Sequence, residues 1–134
     1  MLAKPAPVAN ADTEIFWKGC DRGVFLYQRC RDCGRSQFYP GIVCRGCHGS
    51  GLVWEESAGR GTIYSFTVVH RATPAFRSDA PYALALVDMD EGFRIMANVI
   101  NCSPESVKIG QHVQIVFEDR GSDSHKIPQV TPRE

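Results

Sequence analysis

Four cysteines fall in two pairs, Cys30-Arg-Asp-Cys33 and Cys44-Arg-Gly-Cys47, with ten residues between them. Each C-x-x-C spacing folds as a tight knuckle that points two sulfurs at one place, and Gly34 after the second cysteine permits the left-handed turn this needs. Two knuckles supply four thiolates, the ligand set of a tetrahedral structural Zn²⁺ site. Four sulfurs close the shell, so the metal has no open position for water or substrate and is expected to be structural. Iron in a rubredoxin-like arrangement is the alternative metal, because thiolates also suit iron. A thiol–disulfide centre fits less well, since one knuckle would suffice for it.

Four thiolates around a divalent ion carry a formal charge of minus two. Arg29, Arg31, Arg35 and Arg45 flank the knuckles, opposed by Asp32 alone. These arginines are expected to offset the cluster rather than to mark a nucleic-acid surface. His48 follows Cys47 directly but is not needed as a fifth donor. Cys20 and Cys102 lie outside the pattern and read as core residues.

A conventional catalytic set is missing from the sequence. It has no G-x-S-x-G, P-loop or dinucleotide fingerprint, and His48, His70, His112 and His125 are dispersed. Asp88, Asp90 and Glu91 cluster where a hairpin turn is expected, an ordinary place for acidic residues. The long connection 71–81 holds Pro74, Phe76, Arg77 and Asp79. It reads equally as a solvated loop or as a docking element anchored by Phe76.

The elements that would position these residues divide the chain into three. Residues 1–24 form a leader and a short helix, with Asp12 or Thr13 as its cap and Ile15, Phe16 and Trp17 in its first turns. Such a helix is too short to stand alone and must pack its aromatics on a neighbour. Residues 25–56 are rich in cysteine and glycine and poor in aliphatics, so a metal cross-link must replace a core. Residues 57–134 alternate as strands. Residues 62–70 place Tyr64, Phe66 and Val68 on one face, and residues 82–87 are an apolar run. A turn at residues 88–92 then leads into Phe93, Ile95, Ala97 and Val99 as alternating positions, making a hairpin. A polar connection with a helical turn spans 103–110, followed by a strand through Val113, Ile115 and Phe117. A last strand covers 125–130, where Pro128 suits an edge. Five strands without a long helix predict a small closed or nearly closed barrel such as an OB-fold.

The 134 residues carry 15 basic and 15 acidic side chains, and from Ser57 onward eight basic oppose nine acidic. A neutral chain lacks the basic stripe through which counterion release drives nucleic-acid affinity. Single-stranded nucleic-acid binding, a role that OB-folds and zinc ribbons both serve, is therefore the secondary expectation. No apolar run approaches the roughly 20 residues that span a bilayer, and Pro5 and Pro7 interrupt the first eleven residues, so a secretory signal is not expected. A cytoplasmic location follows as an expectation, and reduced thiols there favour metal over disulfide.

Phe16-Trp17, then Gln28-Arg29-Cys30-Arg-Asp-Cys33-Gly34, Phe38-Tyr39-Pro40 and Val43-Cys44 resemble the zinc-ribbon half of a known family. Residues 59–70, Pro81-Tyr82, the hairpin, Ile109-Gly110 and residues 116–119 resemble its OB-fold half. The family is domain of unknown function thirty-five, and the resemblance covers about residues 12–132. It implies a mainly β chain with a short N-terminal helix, a rubredoxin-like zinc ribbon and a C-terminal five-stranded OB-fold barrel. It further implies a non-catalytic accessory subunit of a thiolase-like acyl-CoA C-acyltransferase, aldolase or acyltransferase, with the reactive group on the partner. On that view Cys30, Cys33, Cys44 and Cys47 hold Zn²⁺. Trp17, Phe38, Tyr39 and Trp54 are docking anchors. Arg71 and Arg77 meet the phosphates of an acyl-CoA at or near the interface.

Overall fold

The computed structural model describes residues 4–133, so the expectations for residues 1–3 and 134 lie outside the described residues. One helix, α1 (Glu14–Asp21), precedes a three-stranded antiparallel sheet of β1 (Leu26–Cys30), β2 (Ser36–Gln37) and β3 (Leu52–Glu56) in the order β2-β1-β3. A closed barrel follows, built from β4 (Arg60–Val69), β5 (Tyr82–Met89), β6 (Arg94–Val99), β7 (His112–Glu118) and β8 (Ile127–Pro132). Its strand order, β4-β5-β6-β8-β7, is that of an OB-fold, with β6 and β8 parallel where they meet at Val99 and Val130. Among the described residues no helix is long and apolar enough to cross a membrane.

The helix begins at Thr13, but the Thr13 side chain does not cap it. Asn10 does the work one turn earlier. Its carbonyl accepts the Glu14 N–H at 2.9 Å and its Oδ1 accepts from the Thr13 N–H at 3.0 Å. At the other end Asp21 ties α1 to the barrel's last loop, through the His125 ring at 2.7 Å and the Lys126 N–H at 3.0 Å. Desolvation works against the Asp21 carboxylate, yet the Lys126 N–H and His125 hold it below the usual range.

In the barrel the inward positions of β5 are Ala83, Ala85, Val87 and Met89, all buried, with the small alanines filling a narrow interior. The β5–β6 hairpin pairs Asp88 with Arg94 through to Ala83 with Val99, as the alternation predicts. In β4 the pattern slips. Ile63 pairs with Val87 and Ser65 with Leu86, so Tyr64 is the extra residue of a bulge. A bulge breaks the period-two parity. Ile63 is buried at 1% exposure, and Tyr64, expected to share one face with Phe66 and Val68, is instead 52% exposed. Tyr64 instead carries the Arg94 guanidinium 3.7 Å above its ring. Phe66, beyond the bulge, turns back toward the core. Pro128 lies on an inner strand of the closed barrel, not at a sheet edge. It pairs with Phe117 on one side and falls beyond the short β6 contact on the other, so its missing N–H leaves no ladder bond broken on that side.

Ribbon, helix and barrel share one aromatic cluster. Phe93, at the base of the β5–β6 turn, lies 4.8 Å from the Tyr27 ring and 5.8 Å from Phe25, while Phe16 and Phe38 meet at 5.0 Å. The same hairpin turn is tied to the connection between ribbon and barrel. Glu91, expected to be an ordinary turn acid, accepts from the Ser57 hydroxyl and the Ala58 N–H, each at 2.8 Å.

Candidate metal centre

Each knuckle closes on the same two backbone bonds. In the first, the Gly34 N–H donates to the Cys30 carbonyl at 2.8 Å and the Cys30 N–H to that of Arg35 at 2.9 Å. In the second, His48 donates to Cys44 and Cys44 to Gly49 at the same distances. Gly34 has φ 81° and His48 occupies the equivalent position with φ 64°. The role of His48 is thus a left-handed backbone position, which His tolerates better than most residues.

β1 and β3 hold the first knuckle, and a pair of buried glutamines holds the approach to the second. Gln37 Nε2 donates to Gln28 Oε1 at 2.9 Å. Gln28 also accepts the Gly41 N–H and donates to the Gly41 carbonyl, both at 2.9 Å, and Gln37 Oε1 accepts the Arg45 N–H at 3.0 Å. The segment between Phe38 and Cys44 has no strand partner, so these amides replace a ladder. Sequence reading quoted Gln28 only as part of a motif and missed Gln37. The available signal was two amide side chains bracketing the first knuckle in a segment with few aliphatics.

The four Sγ atoms lie within 4.8 Å of one another, with 3.6 Å across both the Cys30–Cys47 and the Cys33–Cys44 pairs. Tetrahedral Zn–S bonds of about 2.3 Å require sulfurs about 3.8 Å apart, so the cage fits the ion. All four thiols are free of disulfides. Cys30 and Cys44 are buried, and Cys33 and Cys47 face outward. Without a cation the sulfurs oppose one another. The Cys47 and Gly46 N–H groups pull the Cys44 thiol down to about 6. Cys47 receives the Gly49 N–H, yet Cys30 and the other neighbouring sulfurs push it up to about 12. A divalent ion at the centre would remove that repulsion and hold all four as thiolates.

The flanking arginines divide their roles. Arg29 is committed to the ribbon sheet, bonding Glu55 at 2.9 Å, the Tyr27 hydroxyl at 3.0 Å and the Gly34 carbonyl at 2.8 Å. Arg45 reaches the Tyr39 carbonyl, and Arg35 runs along Gly46, where a Cβ would come 2.6 Å from its Cδ. Of the expected docking anchors, Phe38 and Trp54 pack against the core and Trp17 stacks on His125 at 5.8 Å. Tyr39 alone of these is exposed, at 62%. Cys20 is fully buried, with its thiol pushed up to about 12 by burial, and Cys102 is half-buried against the core.

The connection after β4 holds a 3-10 turn, Pro74–Asp79. Its Phe76 is half-buried, and the chain's own Lys4 and Arg120 lie over the ring at 5.9 and 6.0 Å. Lys4 also pairs with Asp79 at 2.6 Å, so the leader is fastened across this turn. Arg71 and Arg77 are both exposed, and neither makes an ion pair among the described residues.

Two family models match this chain. Residues 17–53 match the model of the ChsH2 rubredoxin-like zinc ribbon domain and residues 54–118 that of the ChsH2 C-terminal OB-fold domain. A DUF35 domain-containing scaffold protein of Methanothermobacter thermautotrophicus is 36% identical over 90 residues, covering 66% of this chain and 68% of that one. The 3-oxo-4,17-pregnadiene-20-carboxyl-CoA hydratase alpha subunit of Mycobacterium tuberculosis is 30% identical over 122 residues. That match takes in 84% of this chain but only 36% of the much longer relative. Among solved structures, a chain of the Ltp2-ChsH2(DUF35) aldolase superposes with a TM-score of 0.83 at 29% identity, covering 94% of this chain and 98% of that one. With ribbon and barrel both matched, and in the same order, the chain belongs to the DUF35 family.

Proposed function

We propose that this protein is a non-catalytic, zinc-containing accessory subunit of a thiolase-like enzyme, whether acyl-CoA C-acyltransferase, aldolase or acyltransferase. It supports assembly of the enzyme and handling of its acyl-CoA substrate. The observation that carries this is the near-complete superposition on a chain from a two-protein aldolase, 94% of one on 98% of the other. The metal centre supports it from physics, because four thiolates leave no coordination position for a reacting group. Zn²⁺ held by Cys30, Cys33, Cys44 and Cys47 would supply rigidity, and the chemistry would occur on the partner.

The acyl-CoA is expected at or near the interface. Arg71 and Arg77 would meet its phosphates, since both guanidinium groups are exposed and unpaired on one connection, and Arg favours phosphate through paired N–H donors. Purification from the native host should bring down a thiolase-type subunit, identified by mass spectrometry, and acyl-CoA turnover should require both chains. A chain that elutes alone and turns over acyl-CoA unaided would overturn the proposal. With the pair in hand, Arg71→Ala with Arg77→Ala should raise the KM for acyl-CoA and leave the complex intact.

A further inference from the structure

The segment between Phe38 and Cys44 presents three apolar side chains to solvent: Ile42 at 77% exposure, Tyr39 at 62% and Val43 at 43%. Its backbone is nonetheless fixed. Gln28 clamps Gly41 from both sides, Gln37 donates to the Val43 carbonyl at 3.4 Å, and Cys44 anchors the end in the metal cage. A pre-ordered loop loses little conformational entropy when it docks. Clustered exposed apolar side chains on such a loop mark an interaction surface.

The rim of this tip is cationic. The Arg45 guanidinium bonds the Tyr39 carbonyl and lies beside Gly41, where a Cβ would stand 3.6 Å from its Nη1. Next to it a cleft of about 340 Å³ opens between ribbon and hairpin, lined by Arg35, Arg45, Arg94, Phe38 and Phe93. Arg94 is already matched by Asp88 at 2.6 Å. Arg35 and Arg45 have no carboxylate partner among the described residues. The cysteine cluster beside them draws on part of this positive charge, but an apolar tip flanked by two guanidinium groups that lack a carboxylate among the described residues calls for a surface of opposite character. Arg in such a setting selects carboxylates through paired N–H donors.

We propose that the Tyr39–Ile42–Val43 tip is the site at which the catalytic subunit docks, and that it seats in an apolar depression rimmed by carboxylates. One acidic side chain of that subunit enters the cleft between Arg35 and Arg45. The inference rests on the accessory-subunit reading, and its test is separable from that reading.

The full-length wild-type chain and its variants are each titrated against the thiolase-type subunit recovered by co-purification. Ile42→Asp and Arg45→Glu should each weaken binding by about tenfold or more, as central interface residues do. Arg45→Glu should also flatten the salt dependence of association. Met96→Asp serves as the control, because Met96 is 57% exposed on the outer face of the barrel. It should bind like wild type. Zinc content and thermal melting of each variant confirm folding, and a photo-crosslinking residue at position 42 should capture the catalytic subunit even if Ile42→Asp folds poorly. Wild-type binding by both tip variants, whatever Met96→Asp does, would overturn the inference and leave the accessory role standing. Unchanged subunit binding by Arg45→Glu, with loss of CoA binding to the isolated chain, would reassign the cleft to a phosphate group. Failure of the wild-type chain to bind any thiolase-type subunit would overturn both.

Discussion

The ribbon sheet buries Phe25, Tyr27, Cys30 and Cys44, whereas the barrel buries Ile63, Val87, Ile95, Val99, Val113 and Val130 around a closed ring of strands. The barrel satisfies its backbone by closure and its core by aliphatics at alternate positions, so its stability is spread over many side chains. In the ribbon, two residues of β2 are all that complete the outer strand, and the rest of the order comes from four sulfurs and two glutamines. Stability there is concentrated in a few groups, and losing one should be felt through the whole module. Phe93, a barrel residue whose ring stacks on ribbon aromatics, joins the two cores.

Removing the metal should separate the regions most sharply. Structural zinc in small modules contributes on the order of 10 kcal/mol. Cys44→Ser, or a strong chelator, should abolish zinc binding and amide-exchange protection over β1–β3. The β5–β6 hairpin should keep its protection. Simultaneous loss of protection in both would mean that ribbon and barrel form one cooperative unit.

Phe93→Ala should have the next largest effect, about 3–5 kcal/mol by the usual cost of deleting a buried phenyl ring. Because the ring serves both regions, chemical denaturation should show both losing stability. Zinc content at neutral pH should stay at one ion per chain. Gln37→Ala should cost about 1–3 kcal/mol, the range for a buried polar group left without its partner. The Gly41 and Arg45 amides should exchange faster while barrel amides do not change. The smallest effect belongs to His48→Gly. Relief of the left-handed backbone should raise stability by about 1 kcal/mol or less, with zinc stoichiometry unchanged. A loss of zinc would make His48 a ligand after all.

Much of this was legible before the structure. The C-x-x-C spacing announced the cage because knuckle geometry is local, a matter of four residues and one left-handed turn. The β5–β6 hairpin was equally clear, since alternation and a glycine-bearing turn are also local signals. The bulge at Tyr64 was not. A one-residue insertion into a ladder leaves no mark in composition, and it takes Tyr64 off the face it was expected to share with Phe66 and Val68. The setting of the aromatic anchors was hidden for a related reason. Trp17, Phe38 and Trp54 are apolar and scarce, which fits docking and burial equally, and only the tertiary packing leaves all three partly buried against the core. The same packing leaves Tyr39 outside.

The sequence by itself determined the ligand set, the order of ribbon before barrel and the neutral charge balance, because each depends on residue type and short spacing. Tertiary structure alone decided how far each aromatic is buried, which arginines beside the knuckles have no carboxylate partner among the described residues, and that Gln28 and Gln37 stand in for a missing strand. Those outcomes depend on side chains far apart in the chain meeting in space, as Phe93 meets Tyr27 at 4.8 Å and Glu91 meets Ser57 at 2.8 Å. No short-range pattern encodes such meetings.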